Sequence, residues 1–219
     1  MPLPIAVAPD AELHTLEYVV VDVETTGRAF VGMDRVTEVA AVAVNARGSI
    51  DAFGSLVNPG RRIPPAITRL TGITNAMVAR APEFADIAAP LSRILTGRVF
   101  VAHNAAFDWS FLTAEFERTD GRTLAGDRVC TVRLARRLLT HLPRRNLDAV
   151  ADYYGVTIED RHRAMGDARA TAAVFTRMLD ELGRQGIHTW GELHRMLHRR
   201  RSRRTRTAMP HPVIDFRVA

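Results

Sequence analysis

The chain has one cysteine, no lysine and no long hydrophobic run. With only Cys130 among its 219 residues, it can form no internal disulfide, which is typical of proteins in a reducing compartment. No stretch is long and apolar enough to span a bilayer. The apolar segment 2–9 lacks a basic leader and is interrupted by prolines, so it does not have the pattern of a signal peptide. We therefore expect a cytoplasmic protein without a membrane partner.

Basic charge is concentrated toward the C-terminal end. All 30 basic residues are arginines and the net charge is +6, yet residues 183–219 hold nine arginines against two acidic residues. The first 182 residues carry 21 basic and 22 acidic side chains and are therefore nearly neutral. The six arginines between 199 and 206 form either a solvated, disordered extension or a site for phosphate groups. We favour the second interpretation because the rest of the chain carries no basic excess.

Length and composition indicate one domain of ordinary size with flanking segments. Hydrophobic residues make up 47% of the chain, which is enough for a core. We expect an N-terminal extension at 1–15, a principal domain at 16–182, and a basic C-terminal helix and tail at 183–219.

Short apolar runs and longer periodic segments alternate along the principal domain, which predicts an α/β fold. We expect strands at 17–23, 36–44, 50–57, 98–102 and 127–130. We expect helices at 66–70, 83–95, 106–118, from the fifth strand to 139, and at 147–154, 168–182 and 188–201. The connections between the first three strands are too short for helical crossovers, so these strands should form an antiparallel meander within a mixed sheet flanked by helices.

Two acidic side chains interrupt the first predicted strand. Asp22 and Glu24 stand two residues apart, so both leave the same face of the strand and could grip one cation. Paired acids on a strand are common on protein surfaces, and alone the pair indicates little. The rest of the strand is apolar, however, so Asp22 at its centre is costly unless it has a partner.

Two further aspartates begin predicted helices. Asp108 follows the fourth strand, after His103 and Asn104, and Asp167 opens a later helix five residues after His162. Each aspartate alone fits the role of a helix cap, and His103 and Asn104 alone fit ordinary loop residues. If the fold gathers the four acids, divalent cations relieve their mutual repulsion, and such a centre can cleave phosphodiesters.

In this order and spacing, the stretches resemble the sequence motifs of the DEDDh exonucleases, the proofreading 3′–5′ exonucleases of DnaQ type, over about residues 16–182. The matching stretches are Asp22-Val23-Glu24-Thr25-Thr26-Gly27, Leu70-Thr71-Gly72-Ile73-Thr74, His103-Asn104-Ala105-Ala106-Phe107-Asp108 and His162-Arg163-Ala164-Met165-Gly166-Asp167. Arg163 stands where the sister subfamily carries tyrosine, so the histidine subfamily is the match. Thr71 departs from some proofreading subunits, which carry histidine there. The resemblance implies the ribonuclease H-like fold, with a five-stranded sheet of three antiparallel strands plus two parallel strands.

The resemblance also implies two-metal hydrolysis of nucleic acid from its 3′ end, with release of nucleoside 5′-monophosphates. Asp22, Glu24, Asp108 and Asp167 would hold two Mg²⁺ or Mn²⁺ ions, and His162 would take the proton of the attacking water. A second group would hold the terminal nucleotide: Thr25, Thr26, Gly27, Ile73, His103, Asn104 and Phe107. Phe107 has two interpretations, a core residue or a ring that stacks on a base.

Three functions are open at this point. The first is an exonuclease of single-stranded DNA in proofreading or repair, with a DNA polymerase as partner, and the loop 70–74 favours it. The second is RNA trimming by the same chemistry. The third is a non-catalytic module that binds nucleic acid or a polymerase. The complete set of four acids and His162 argues against the third, because a binder gains nothing from clustered carboxylates. The sequence leaves the oligomeric state open.

Overall fold

The computed structural model describes residues 5–28 and 34–198, and a mixed five-stranded sheet forms its centre. The strands are β1 (Tyr18–Thr25), β2 (Val36–Asn45), β3 (Gly48–Leu56), β4 (Val99–Ala102) and β5 (Arg128–Cys130). Their spatial order is β3-β2-β1-β4-β5, with antiparallel pairing among the first three and parallel pairing of β4 with both β1 and β5. The predicted meander and the mixed α/β sheet are confirmed.

Helices connect and cover the strands. They are α1 (Pro65–Thr71), α2 (Asn75–Val78), α3 (Phe84–Leu95), α4 (Ala105–Asp120), α5 (Thr131–Leu138), α6 (Leu147–Tyr153), α7 (Ala164–Arg184) and α8 (Trp190–His198). The sequence pattern did not predict α2 or a 3-10 turn at Leu13–Thr15, because a single turn is too short to show a period. Residues 199–201 of the last predicted helix lie outside the described residues.

Helix α7 begins four residues before the start that its sequence pattern predicts. Glu38, on β2, accepts a hydrogen bond from the Ala164 N–H at 2.9 Å, and the residue at the N-cap, Arg163, provides no side-chain cap. Because the cap comes from a distant strand, the local sequence does not reveal it. Asp167 therefore lies inside the first turn of α7 instead of at its start.

Apolar side chains cover both faces of the sheet. On one face, Val20 and Val42 belong to a core cluster that includes Phe175 of α7. On the other face, Val19 and Phe100 pack with side chains of α3 and α4. A strand covered on both sides has no polar face, which explains why β1 and β2 read as nearly continuous apolar runs. An acidic residue in such a strand must therefore lie at an end of the sheet or have a partner.

The segments on either side of the principal domain lie next to each other. Glu12 and Thr189 form an isolated antiparallel bridge, and the Trp190 N–H donates to the Ala11 carbonyl oxygen at 2.9 Å. Trp190 and Leu193 are buried in the same core cluster as Val20. The domain boundaries themselves stay a prediction. Within residues 5–28 and 34–198, no helix combines the length and the apolarity needed to cross a bilayer.

Candidate active site

The ends of the parallel strands β1 and β4 bring the predicted site residues to one edge of the sheet. Asp22 and Glu24 lie on the last half of β1, and both side chains are partly buried. Two residues separate the end of β4 from the start of helix α4, which carries Asp108 in its first turn. Helix α7 brings Asp167 to the same place. We call Asp22, Glu24, Asp108 and Asp167 the acidic cluster.

Asp108 is fixed against β1 by a hydrogen bond from the main chain. β4 pairs with β1 only as far as Val20, so the next part of β1 has no strand neighbour on that side. There the Val23 N–H donates to Asp108 Oδ1 at 3.2 Å, and Asp108 is only 3% exposed. The carboxylate thus occupies a position where a strand partner would otherwise be needed.

Asp167 is also buried, and one of its oxygens has no partner. Oδ2 accepts hydrogen bonds from Arg161 Nη1 at 2.5 Å and from the His162 N–H at 3.3 Å. Oδ1 is buried and makes no hydrogen bond. A buried acceptor without a partner is costly, and a bound cation would satisfy it.

A glycine allows the turn carrying His162 to lie close to α7. His162 has a positive φ of 65°, and Asp160, two residues earlier, has a φ of 49°. A Cβ at Gly166 would lie 1.9 Å from the Glu159 carbonyl oxygen, so no larger residue fits beneath this turn. The histidine therefore depends on Gly166 for its place beside the acidic cluster.

Burial and mutual repulsion disfavour the charged forms of the acidic cluster. Burial, followed by repulsion from Asp22, raises the pKa of Glu24 to about 9. Burial raises the pKa of Asp108 to about 8, although the hydrogen bond from Val23 acts in the opposite direction. The pKa of Asp22 is well above its ordinary value because of burial and then of the Asp108 and Asp167 charges. Burial also raises the pKa of Asp167, against the lowering effect of Arg161.

The residues present fit divalent metal ions. Ligand atoms of Glu24, His162 and Asp167 all lie within 4.8 Å of one another. Carboxylate oxygens are the ligands that Mg²⁺ and Mn²⁺ prefer, and the unpartnered Asp167 Oδ1 supplies one that nothing else uses. Two positive ions would also favour the charged forms of the four buried carboxyl groups and offset the repulsion that contributes to the raised pKa values of Asp22, Glu24 and Asp108.

Arg161 contacts the acidic cluster, and the sequence pattern did not single it out. Its Nη1 donates to Asp167 and lies 3.3 Å from His162 Nδ1, while its Nε donates to Asp148 Oδ1 at 2.7 Å. A guanidinium has donors only, so Nδ1 of His162 is the acceptor in this contact. The arginine therefore places a positive charge where a metal ion would compete with it. In the sequence, only the position of Arg161 next to His162 indicates that this arginine belongs to the site.

Two buried glutamates hold the helices that carry the aspartates, and both were missed by the sequence analysis. Glu38 accepts from Arg163 Nη2 at 2.6 Å and from Arg163 Nε at 3.0 Å, in addition to capping α7. Glu115 of α4 accepts from Arg35 Nε at 2.8 Å and Nη2 at 2.9 Å. Both carboxylates are nearly buried, at 7% and 1% exposure. An acidic residue in the apolar run of β2 was the available signal for Glu38.

The turn after β1 is held together by its own side chains. Thr25 Oγ1 donates to the Gly27 carbonyl oxygen. Thr26 Oγ1 donates to Asp34 Oδ1 at 3.1 Å and accepts from the Arg35 N–H at 3.0 Å. A Cβ at Gly27 would lie 2.3 Å from Asp34 Oδ2. These contacts shape a turn beside the acidic cluster, while the predicted role of its residues in holding a nucleotide stays a prediction.

Two other residues predicted to bind the substrate, Ile73 and His103, are engaged within the protein. Ile73 has no exposed surface, packs with Ile63 and donates its N–H to Thr71 Oγ1 at 3.1 Å, so this structure presents neither its side chain nor its N–H to a substrate. Burial lowers the pKa of His103 to about 4, so its ring is neutral; Nε2 donates to the Arg145 carbonyl oxygen and Nδ1 contacts Thr131 Oγ1. Both ring nitrogens are thus engaged within the protein.

Asn104 and Phe107 keep accessible surface at the beginning of α4. Asn104 is exposed and adopts a left-handed conformation with φ 78°. Phe107 is partly buried, with its ring 4.8 Å from that of Phe111. Both residues are therefore accessible for the predicted contact with a terminal nucleotide. Phe107 also packs against the edge of the core.

Comparison with known proteins identifies the family of the chain. The family model described as an exonuclease, RNase_T, matches residues 19–175. A DNA polymerase III subunit epsilon-like protein of Rhodobacter capsulatus is 40% identical over 186 residues, which cover 83% of this chain and 26% of that protein. The chain spans less than a third of the length of the first curated relatives that it matches.

Solved structures share the fold. Exonuclease X, in complex with 5′ overhanging duplex DNA, is similar with a TM-score of 0.61 and 28% identity, over 76% of this chain and 93% of that one. The nuclease domain of 3′hExo, a DEDDh family member bound to rAMP, has a TM-score of 0.64 over 78% of this chain and 95% of that one. At 20% identity, the second likeness concerns the fold alone. The chain belongs to the exonuclease family.

Proposed function

We propose that the protein removes nucleotides one at a time from the 3′ end of single-stranded DNA, releasing nucleoside 5′-monophosphates, in proofreading or repair. The observation that carries this proposal is the convergence of the acidic cluster and His162 at one edge of the sheet, with a buried Asp167 oxygen left unpartnered. A binding module would not need carboxylates whose charges are disfavoured by burial and by one another.

The four side chains of the acidic cluster would hold two Mg²⁺ or Mn²⁺ ions. When bound, such ions acidify water and stabilise the oxygen that leaves in phosphodiester hydrolysis. His162 is the group that takes the proton of the attacking water, because its ring lies beside Glu24 and Asp167. Nδ1 is the acceptor in the contact with Arg161, so it can take this proton only when Arg161, whose Nε also donates to Asp148, does not occupy it.

The protein's own turn and helix would orient the terminal nucleotide. The Thr25–Gly27 turn is kept rigid by its internal hydrogen bonds, so its main chain can contact the sugar and the terminal 3′ oxygen without prior ordering. Phe107 offers a ring face on which the last base can stack, whatever its identity. This arrangement suits a substrate that is recognised by its end and not by its sequence.

The experiment is degradation of matched DNA and RNA oligonucleotides, labelled at the 5′ end, with Mg²⁺ or Mn²⁺. We expect a ladder that shortens from the far end on DNA, complete loss of activity in EDTA, and recovery with Mn²⁺. Asp22→Asn and Asp167→Asn should both be inactive. Near-normal hydrolysis by either variant would refute the site. Binding that persists in EDTA, without any hydrolysis in metal, would support a non-catalytic module instead.

RNA trimming is the second candidate. A protein of the same fold is bound to rAMP, and the chemistry at the acidic cluster does not depend on the sugar of the upstream nucleotides. Faster shortening of the RNA oligonucleotide than of its DNA counterpart would favour this candidate. The name of the Rhodobacter relative supports a DNA polymerase as partner and therefore the DNA substrate. A cytoplasmic location belongs to the same proposal.

A further inference from the structure

A cavity lies beside the start of α4, on the side of α5 and α8. It has a volume of about 300 Å³ and lies among the start of α4, the strand β5, and the helices α5 and α8. Trp190 and Leu193 contribute apolar side chains, and Arg128, Arg133 and Arg136 contribute the basic ones. We call this feature the arginine cavity.

The arginine cavity is basic and contains no acidic side chain. None of the residues that line it is Asp or Glu. Among the described residues, none of the three arginines forms an ion pair with a carboxylate. Arg128 stacks over the Trp109 ring at 4.7 Å, and Arg133 Nη2 reaches the Leu197 carbonyl oxygen at 3.5 Å. Positive charge without compensation around a concave surface favours an anion.

The start of helix α4 adds to this preference. Ala105 and Ala106 line the cavity, and Asn104 makes no side-chain cap to the helix. The first turn of a 16-residue helix presents main-chain N–H groups and the positive end of the helix dipole. The same turn carries Asp108, which lies three residues after Ala105, or roughly 5 Å along the axis of α4.

We propose that the arginine cavity binds the phosphodiester backbone of the nucleic-acid strand whose 3′ end lies in the acidic cluster. The inference rests on the proposed function, because it takes the strand end to be held by the acidic cluster. A cluster of four carboxylates repels every phosphate except those that its metal ions contact, so the affinity for the rest of the strand must come from cationic groups elsewhere. The apolar side chains of Trp190 and Leu193 can contact a sugar or base between two phosphates.

The sequence that follows the cavity is consistent with this role. His198 lines the cavity and is the last described residue, and six arginines follow within residues 199–206. The arginine-rich segment is thus attached to the molecule at the edge of a basic cavity. The cavity itself is formed by described residues and does not depend on that segment.

The test measures binding of a 5′-labelled single-stranded DNA as a function of salt, in EDTA to prevent hydrolysis. For the double variant Arg133→Gln with Arg136→Gln, we expect the slope of log affinity against log salt to become shallower by about 1.4, from about 0.7 for each lost phosphate contact. A control double variant, Arg93→Gln with Arg177→Gln, removes the same charge from exposed positions on α3 and α7 and should leave the slope close to that of the unmodified protein.

A second measurement separates this inference from the proposed function. A nitrophenyl ester of a nucleoside 5′-monophosphate has no upstream strand, so the cavity variant should hydrolyse it at the unmodified rate in Mn²⁺. If the double variant is unstable, the single variant Arg136→Gln replaces it, since Arg136 is exposed. The slope of log affinity against log salt should then become shallower by about 0.7. Normal ester hydrolysis with equal slopes in the cavity and control variants would overturn the cavity's role. No ester hydrolysis by the unmodified protein would instead refute the proposed function.

Discussion

Replacing Gly166 by alanine should displace the turn that carries His162. The new Cβ would lie 1.9 Å from the Glu159 carbonyl oxygen and 2.8 Å from that of Asp160, whereas real contacts of this kind stay above 3.0 Å. Both neighbours are main-chain atoms, so the turn must move by about 1 Å as a unit. Asp160 and His162 already have positive φ angles, which leaves the turn few alternative conformations.

Two effects of this substitution can be measured separately. Overpacking of this kind costs about 1–3 kcal/mol of the free energy of unfolding, which denaturant titration reports. A misplacement of about 1 Å in a catalytic group can lower the rate about 100-fold, which hydrolysis of the nucleotide ester in Mn²⁺ reports. We expect both losses in Gly166→Ala.

Gly183 of the same helix provides the matched control. A Cβ there meets nothing nearer than the His188 Cε1 at 4.0 Å, so alanine should fit without strain. Alanine within a helix is more stable than glycine by about 0.5–1 kcal/mol, so Gly183→Ala should unfold at higher denaturant and keep full activity. Full stability and activity of Gly166→Ala, or equal losses in the two variants, would refute the role assigned to this glycine.

Four further outcomes are expected. Asp22→Asn should stabilise the metal-free protein at pH 8, because it removes a carboxyl group whose charged form is disfavoured by burial and then by repulsion. It should lower hydrolysis at least about 100-fold, since removal of a residue that only supports a metal ligand already lowers activity about 10–100-fold. In the metal-free protein the raised pKa values of Glu24 and Asp108, about 9 and 8, mean that the folded state binds protons more tightly than the unfolded state. Its thermal midpoint should therefore fall as the pH rises from 5 to 9, and the increase on adding Mn²⁺ should grow over the same range. Arg161→Gln should tighten Mn²⁺ binding about tenfold by calorimetry, since it removes a competing cation. Deletion of 199–219 should flatten the salt dependence of DNA binding further than the cavity variant alone does.

Two of these outcomes have a control variant, and the other two have a result that would contradict them. Asp152→Asn removes an exposed carboxylate from α6 and should change neither stability nor activity appreciably. For Arg161, the exposed Arg177→Gln should leave Mn²⁺ affinity unchanged. A thermal midpoint that does not vary with pH in EDTA would contradict the burial-driven pKa shifts. An unchanged salt slope after deletion of 199–219 would show that the arginine-rich segment makes no phosphate contacts.

The sequence predicted the sheet because the sheet follows from local patterns, whereas the convergence of the four acids was implied by the resemblance to known motifs. Apolar runs with short connections indicate a meander, and Asp22 and Glu24 share a face through the period of two in a strand. The resemblance implied that Asp108 and Asp167 join them, and in the structure both lie close to β1.

The interactions that the sequence did not reveal are pairings between distant residues. Glu38 and Arg163 are 125 positions apart, and neither has a local pattern that names its partner. Arg161 was overlooked because an arginine in an arginine-rich chain is an uninformative signal. The burial of Ile73 and the internal hydrogen bonds of His103 likewise depend on tertiary packing, which a motif cannot show.

The bridge between Glu12 and Thr189 brings the incoming and outgoing ends of the folded unit side by side. A domain whose two ends lie close together can be inserted into a longer polypeptide without distortion of the chain at either connection. This geometry agrees with relatives in which a matching region makes up less than a third of the whole. The adjacent ends of this exonuclease fold are therefore compatible with its insertion as one domain into a longer polypeptide.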